Sequence, residues 1–180
     1  MLTGLFVGAG ASYEVGMPLV WDLTSELKTW LTPQKLRELN AGWCTQGLGG
    51  GYPDEVIEEL ARVLVLPDLH YESILGFLET QFRRYSQEPR QHHFHGLYAW
   101  LVEAVYWILL LRHVNSVTFI ERNLRYLDGI VRLAQKNSPL WIFSLNHDLI
   151  IECLAAANNI PITAASQSQS LPCQEGTRRE

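Results

Sequence analysis

The sequence predicts an α/β domain in which a small parallel sheet carries a large helical insertion. Two short apolar runs, residues 2–7 and 138–146, are typical of buried strands and lie far apart in the chain. Between them, the chain from Asp54 onward has the apolar spacing of helices. A polar stretch without periodicity follows at the C-terminal end. We therefore expect one domain over residues 1–163 and an irregular polar tail over residues 164–180.

Composition favours a soluble globular protein. Of the 180 residues, 47% are hydrophobic and 18% are charged, which is too apolar for a disordered chain. The net charge of −5 and the pI near 5.7 argue against a nucleic-acid partner, which would require a basic surface. The three cysteines, Cys44, Cys153 and Cys173, include no close pair, so neither a zinc ribbon nor a disulfide framework is expected. These observations favour a cytoplasmic location.

The most apolar helix candidate is predicted to lie in the core. The stretch "LYAWLVEAVYWILLL" contains Glu103 and is shorter than the ~20 residues that cross a membrane. The apolar run at the N-terminus is brief and has no basic residues before it, so no secretory signal is expected. We therefore expect no membrane partner.

The N-terminal part of the chain combines one strand, one loop and one helix. The strand "LTGLFV" is short, apolar and ended by glycine, and a loop is predicted from Gly8 to Gly16. Pro18 suits the first turn of the following helix, in which leucines recur at four-residue spacing. Residues 40–53 are rich in glycine and have no period, which predicts a mobile surface loop.

Four helices are predicted across the middle of the chain from their apolar periodicity. They are "PDEVIEELARVL", "HYESILGFLETQFRRYS", "FHGLYAWLVEAVYWILLLRHV" and "SVTFIERNLRYLDGIVRLAQKN". The second strand, "SPLWIFSLN", follows them and is in turn followed by the helix "HDLIIECLAAANN". The segment "IPITA" is a candidate for the start of a third strand. For the polar tail, two interpretations stay open: a disordered C-terminus, or a chain truncated or spliced relative to a longer protein.

A glycine-rich loop after the first strand predicts a phosphate site. Glycines let a phosphate approach the backbone, and a helix N-terminus favours the anion. The dehydrogenase fingerprint G-x-G-x-x-G does not fit, because Tyr13 stands where the third glycine would be. A P-loop does not fit either, because its lysine followed by serine or threonine is missing. The alternative is a tight strand-to-helix turn in which small residues are needed for packing.

A second motif, "SLNHD", follows the second strand. In open α/β sheets ligands bind beyond the carboxyl ends of the strands, so Asn146 and Asp148 are expected to face the same crevice as the glycine loop. The alternative is that either side chain caps the helix that follows, because both residue types are favoured at that position.

Both motifs resemble those of the sirtuin (Sir2) superfamily. "GAGAS", followed after three residues by "GMP", is similar to its first NAD-binding motif. "LNHDLIIE" most resembles the Sir2-like domains of bacterial antiphage defence proteins, and "HYESILGFLE" is similar to a helix that such proteins carry between the two motifs. The resemblance spans roughly residues 1–163. It implies a Rossmann-like Sir2 fold and NAD as ligand or substrate. No metal is expected, because the sequence has neither a close cysteine pair nor a pair of histidines at helical zinc-site spacing.

The resemblance also implies roles for individual residues. The backbone of Ala9, Gly10 and Ala11, with Ser12, would hold the pyrophosphate. Asn146, the implied catalytic residue, would bind the nicotinamide-side ribose or position a water, while Asp148 would contact the carboxamide. The full implied NAD-binding set is Gly8, Ala9, Gly10, Ala11, Ser12, Gly16, Pro18, Asn146 and Asp148.

Departures from the pattern favour NAD hydrolysis over protein deacetylation. Deacetylating sirtuins continue their "GIP" with an acid, an aromatic residue and an arginine, where this chain has Leu19, Val20 and Trp21. They also carry a four-cysteine zinc module, which three cysteines cannot supply. The implied partners are NAD itself and either a second copy of the chain or a partner defence protein.

The catalytic histidine of the superfamily is missing from its usual place. It stands beyond the asparagine motif, and this sequence has no histidine after His147. His95 precedes a glycine, as that histidine does, but it lies before Asn146. Two hypotheses follow: an NAD-hydrolysing antiphage effector in its complete form, or a non-catalytic or truncated Sir2-like module that binds NAD or a related nucleotide. A purely structural helical protein is a third possibility that the paired motifs disfavour.

Overall fold

The computed structural model describes residues 3–46, 51–85 and 89–163, so the predicted tail lies outside the described residues. Within these ranges the chain forms two strands, nine α-helices and one 3-10 turn. The strands are β1, Thr3–Val7, and β2, Leu140–Ser144. The helices are α1, Gly10–Tyr13; α2, Val20–Trp30; α3, Pro33–Gln46; α4, Asp54–Leu64; α5, Tyr71–Arg84; α6, Pro89–Asn115; α7, Val117–Asn123; α8, Asp128–Lys136; and α9, Ile150–Ala157, with the 3-10 turn at Leu124–Leu127.

The two strands form a parallel sheet, with Thr3 opposite Leu140 and Val7 opposite Ser144. Both are short and apolar, as predicted, and every helix from α1 to α8 lies between them in sequence. The predicted mixed α/β class, with a small parallel sheet and a large helical insertion, is therefore confirmed. Because the strands run parallel, the segments that follow Val7 and Ser144 leave the sheet at the same edge.

Helices α2 to α6 enclose the larger of two hydrophobic cores. Its fully buried side chains come from all five helices and include Leu27, Leu36, Ile57, Ile74 and Phe94. Helix α6 contributes five residues to this core, so part of the predicted core helix is buried as expected. By length and composition alone, α6 is also long and apolar enough to cross a membrane, and 33% of its most apolar window is buried inside the protein.

A second, smaller hydrophobic core packs together the segments that carry the two sequence motifs. It joins the segment after α1 to helices α7, α8 and α9 and to the 3-10 turn. Its buried members are Val15, Met17, Ile120, Leu124, Val131, Ile150 and Leu154. This core fixes the loop after β1 and the helix after β2 against the same neighbours, so the two motifs are held in one place.

The prediction that both strands are buried is wrong for one face of the sheet. Leu5 and Ile142 lie half-buried on one face, whereas Phe6, Trp141 and Phe143 on the other are 68%, 47% and 55% exposed. In the described part of the chain, packing covers the first face and leaves the aromatic face open. Parallel sheets are normally covered on both faces, which is why the apolar composition led to the wrong expectation.

Helix α3 was not predicted, and it includes the first half of the predicted loop 40–53. Asn40 is 5% exposed, and its side chain donates to the Tyr52 carbonyl at 3.0 Å and accepts from the Tyr52 N–H at 2.7 Å. Trp43 packs edge-on against Trp100, with ring centroids 5.1 Å apart. These tertiary contacts stabilise a helix that glycine content argued against. Residues 47–50 of the predicted loop lie outside the described residues.

The helix predicted over residues 116–137 is broken into α7, the 3-10 turn and α8. Asp128, directly after the 3-10 turn, is a favourable acid for the first turn of a new helix. The loop predicted from Gly8 to Gly16 also contains the short helix α1. Helix α2 starts at Val20, later than predicted.

The candidate third strand is not formed by its described residues, 160–163. Asn159 instead adopts φ 53°, and the Ile160 N–H donates to the Ala155 carbonyl at 2.9 Å, which is the Schellman ending of a helix. Ile160 packs against the smaller core. The apolar residue that suggested a strand thus serves to terminate α9.

Candidate functional site

The structure brings the two sequence motifs into direct contact. At the shared edge of the sheet, the Leu145 N–H donates to the Val7 carbonyl at 3.1 Å, which carries the pairing one residue past β2. Asn146 Nδ2 then donates to Ser12 Oγ at 2.9 Å, although the two residues are 134 positions apart. The predicted proximity of the glycine loop and the asparagine motif is therefore present in the fold.

The glycine loop turns directly into α1. The Ala11 N–H donates to the Gly8 carbonyl at 2.9 Å, and the Ser12 N–H donates to the Ala9 carbonyl at 3.2 Å. Ser12 is only 3% exposed, and its carbonyl accepts from the Met17 N–H at 3.1 Å. Ser12 is thus fixed through its backbone, which orients the hydroxyl that meets Asn146.

Packing explains only one of the three glycines in this loop. Gly16 has φ 101°, and a Cβ there would lie 3.0 Å from the Phe119 ring, so the fold itself requires glycine. At Gly8 and Gly10 an added Cβ meets nothing within 4 Å, and neither has a positive φ. Gly10 is also exposed. The alternative that the loop is merely a tightly packed turn therefore holds for Gly16 and fails for Gly8 and Gly10.

Asn146 does not cap the following helix. Its amide nitrogen is turned back to Ser12, and its backbone N–H donates to Ser144 Oγ at 3.0 Å. Its Oδ1 is buried without a hydrogen-bond partner among the described residues. A buried acceptor left unpaired costs about 1–3 kcal/mol, so such an atom is a candidate to receive a hydrogen bond from a ligand.

Asp148 does serve the helix that follows it. Its Oδ1 accepts the Ile150 N–H at 3.0 Å, at the start of α9. Asp148 precedes the N-cap residue, Leu149, and still satisfies the first N–H of α9, as the capping alternative supposed; it also lines the cavity described below. Pro18, another predicted NAD contact, is buried ahead of α2. Pro18 and Gly16 therefore have structural roles, Pro18 through its burial and Gly16 through its closeness to the Phe119 ring.

A cavity of about 250 Å³, lined in part by the residues that follow Asn146, was not predicted from the sequence. It lies between the second half of α6 and the segment that joins β2 to α9. Tyr106 and Trp107 of α6 line it together with His147 and Asp148. Tyr106 Oη lies 3.4 Å from His147 Nδ1, so α6 directly contacts the asparagine motif. In the sequence these aromatic residues are indistinguishable from core residues, since they lie within the apolar run of α6.

Two histidines line the cavity, and His95, the one that precedes a glycine, does not. His147 and His113 line the cavity, and His113 Nε2 lies 3.3 Å from Cys153 Sγ. His95 lies on α6 eleven residues before Tyr106, about 16 Å along the helix axis, and packs against Phe82. The position of His95 therefore does not suit a base that acts at Asn146.

The thiol of Cys153 is not activated by its histidine neighbour. Burial raises the pKa of Cys153, and the negative charges of Glu152 and Asp148 raise it further. A thiol in such surroundings stays protonated near neutral pH. No group of three or more histidine, cysteine or acidic side chains in the described ranges is arranged to hold a metal ion.

Comparisons with known proteins place this chain beside no relative. A scan against protein-family models gives no match, and searches of curated proteins and of solved structures give none either.

Proposed function

We propose that the chain binds NAD at the shared edge of β1 and β2, in a Rossmann-like, Sir2-like arrangement. The observation that carries the proposal is the 2.9 Å hydrogen bond between Asn146 Nδ2 and Ser12 Oγ. It joins the two stretches that resemble the sirtuin motifs, at the edge where ligands of open α/β sheets bind.

The residues at this edge suit a dinucleotide in two ways. Neither packing nor backbone conformation requires a glycine at position 8 or 10. The absent side chains of Gly8 and Gly10 leave space beside the backbone, which a closely approaching phosphate needs. Asn146 Oδ1 is a buried acceptor in need of a donor, and the hydroxyl of a ribose is such a donor. Ser12 holds the other end of the amide, so Asn146 is oriented before a ligand arrives.

In its complete form the site is proposed to hydrolyse NAD to nicotinamide and ADP-ribose, as an effector of antiphage defence. The bond broken is the glycosidic bond to nicotinamide, through an oxocarbenium-like state that water captures. Asn146 can orient the ribose or the water, but an amide does not accept a proton. Asp148 is engaged by the Ile150 N–H. We therefore expect slow hydrolysis by this chain.

A non-catalytic NAD-binding module is the second candidate function. The absence of a histidine after His147 favours it, because the base that the resemblance implies has no counterpart in the sequence. Loss of a general base typically lowers the rate about 10²–10⁴-fold. Binding without turnover and binding with very slow turnover are separated by the amount of nicotinamide released.

Calorimetric titration with NAD, combined with an assay of nicotinamide release, tests both functions. Asn146→Ala is expected to weaken NAD binding about tenfold or more, because it removes the oriented amide. Asn158→Ala is the matched control: that asparagine donates its side-chain N–H to Leu154 within α9. Equal NAD affinity in the wild-type chain and the Asn146 variant, or no binding by the wild-type chain, contradicts the proposal.

A further inference from the structure

The second half of helix α6 is apolar on two opposite faces. Leu101, Val105 and Leu109 on one face are buried in the larger core. The other face carries an apolar stripe at helical spacing, and each of its members is between 41% and 62% exposed. This α6 stripe, with Glu103 at its N-terminal end, consists of Tyr106, Trp107, Leu110, Leu111 and Val114. A helix that is apolar all round is normally covered on every side, and the described part of the chain covers only the core face.

The open aromatic face of the sheet adjoins the α6 stripe. Because successive side chains of a strand alternate, Leu145 continues the side of β2 that carries Phe143, and it is 65% exposed. The next residue on that side, His147, packs edge-on against Tyr106, with ring centroids 5.5 Å apart. The α6 stripe and the sheet patch are thus joined into one surface. The sheet patch consists of Phe6, Trp141, Phe143 and Leu145.

This surface is larger than the apolar patches that monomeric proteins normally expose to water. The large side chains of the α6 stripe and the sheet patch are on average about half exposed. With ~200 Å² for a fully exposed large side chain, they present about 1,000 Å² of apolar surface. The largest apolar patch on a typical monomer measures about 300–600 Å², whereas a stable dimer buries about 800 Å² on each partner. The surface is therefore large enough for an interface between two chains.

The charges around the surface disfavour a lipid bilayer as its partner. Protein surfaces that bind membranes combine apolar residues with lysines and arginines that contact anionic headgroups. The segments 3–7, 100–111 and 141–149, which carry most of this surface, contain no lysine or arginine, but they do contain Glu103 and Asp148. The next cation along α6, Arg112, is bound to Glu26 at 2.9 Å. A protein surface is therefore the better partner.

The two halves of the surface are complementary in kind. Parallel sheets are normally covered on both faces, and apolar helix faces are what cover them. In this chain one half of the surface is an open sheet face and the other is an open helix face. A two-fold axis can place the α6 stripe of each copy on the sheet patch of the other, which buries both halves at once.

We propose that two copies of the chain form a symmetric dimer in which the α6 stripe of each copy packs on the sheet patch of the other. Dimerisation needs no NAD, so it stands or falls independently of the proposed function. Tyr106, Trp107 and Leu110 also line the cavity beside the asparagine motif. The second copy therefore covers this cavity.

The mass of the whole chain in solution is the first test. Sedimentation equilibrium without NAD is expected to give twice the 20.5 kDa of one chain at tens of micromolar, since interfaces of this size have dissociation constants from micromolar to picomolar. A chain that remains a monomer throughout this range overturns the proposal. A monomer that also co-sediments with phosphatidylserine vesicles identifies the surface as a membrane site instead.

Two variants locate the interface. Leu111→Glu alters the α6 stripe and Phe143→Arg alters the sheet patch, and both side chains are more than half exposed, so the fold should accept the changes. Each change occurs twice in a symmetric dimer and is expected to raise the dissociation constant at least about tenfold. Leu133→Glu, on an exposed leucine of α8 outside the surface, is the control and leaves the constant unchanged. Unchanged dimerisation of both interface variants, with circular dichroism showing the fold intact, overturns the proposal.

A mixture of the two variants tests the reciprocal arrangement. The mixed pair keeps one unaltered contact between helix and sheet, and the introduced glutamate faces the introduced arginine in the other contact. The mixed dimer is therefore expected to form at least about tenfold more tightly than the dimer of either variant alone. If the two α6 stripes instead pack on each other, Phe143→Arg stays dimeric and mixing restores nothing. That result overturns the proposed arrangement.

Discussion

Substituting the glycines of the first loop separates a ligand site from a packed turn. Gly10→Val places a branched side chain where the added Cβ meets no atom within 4 Å, and the backbone there has no positive φ. The fold should accept the change. NAD, if it lies against this backbone, meets the new methyl groups. We expect Gly10→Val to lower NAD affinity at least about tenfold, which corresponds to 1.4 kcal/mol.

Gly16→Ala is the contrasting substitution. A left-handed backbone costs a residue with Cβ about 1–2 kcal/mol, and φ is 101° at this position. The new Cβ would also lie 3.0 Å from Phe119 Cδ1, so the ring must shift. We expect the free energy of unfolding to fall by about 2 kcal/mol. With a urea dependence of about 2 kcal/mol per molar, the midpoint falls by about 1 M.

Urea denaturation and calorimetric NAD titration on the same preparations distinguish a ligand-binding role for Gly10 from a packing role for Gly16. The expected pattern is an unchanged midpoint with lost binding for Gly10→Val, and a lowered midpoint for Gly16→Ala. Full NAD affinity in the Gly10 variant would refute the glycine-loop site. A Gly10 variant that unfolds as readily as the Gly16 variant would show that the turn needs a small residue at both positions.

Three further predictions follow from particular contacts. Asn40→Ala removes a buried side chain that pairs with both the N–H and the carbonyl of half-buried Tyr52, and should lower the free energy of unfolding by about 2 kcal/mol. A urea midpoint equal to wild type contradicts this. At pH 8 iodoacetamide should modify exposed Cys44 faster than Cys153, because burial and nearby acids raise the pKa of Cys153. Peptide mapping measures both rates. Faster reaction at Cys153 would contradict the raised pKa of its thiol. His95→Ala should leave NAD binding and nicotinamide release unchanged, because His95 lies about 16 Å along α6 from Tyr106, the residue that contacts the asparagine motif. Loss of release in this variant would identify His95 as the base.

Local patterns were sufficient to predict the elements that local interactions stabilise. The apolar runs of β1 and β2 and the amphipathic spacing of α4 and α5 were recognisable without knowledge of the fold. Helix α3 was not, because its stability depends on Asn40 reaching Tyr52 and on Trp43 packing against Trp100. The sequence of an apolar strand does not show which residues will pack over it. The exposure of the aromatic face of the sheet could therefore not be predicted.

The same distinction applies to the site. Asn146 and Ser12 could be expected to meet, because parallel strands deliver their following loops to one edge. The contribution of α6 could not, because Tyr106 and Trp107 lie in an apolar run and only the packing of α6 shows which side they face. Whether Asp148 bonded to α9 or faced a cavity also required the structure, which shows its Oδ1 accepting the Ile150 N–H and the residue in the cavity lining.

The long separation between Ser12 and Asn146 sets the order in which this protein can assemble. Closing a loop of 134 positions costs about 4 kcal/mol of chain entropy, whereas the helical core can begin from pairs of helices that are adjacent in sequence, α3 with α4 and α5 with α6. The helical core can therefore form first, and the sheet pairs last. Amide exchange in β1 and β2 should then occur through a partial opening that leaves α5 and α6 protected. A ligand that binds across Ser12 and Asn146 only in the closed state lowers the population of this partial opening by the factor 1 + [ligand]/Kd, and amide exchange in β1 and β2 slows accordingly.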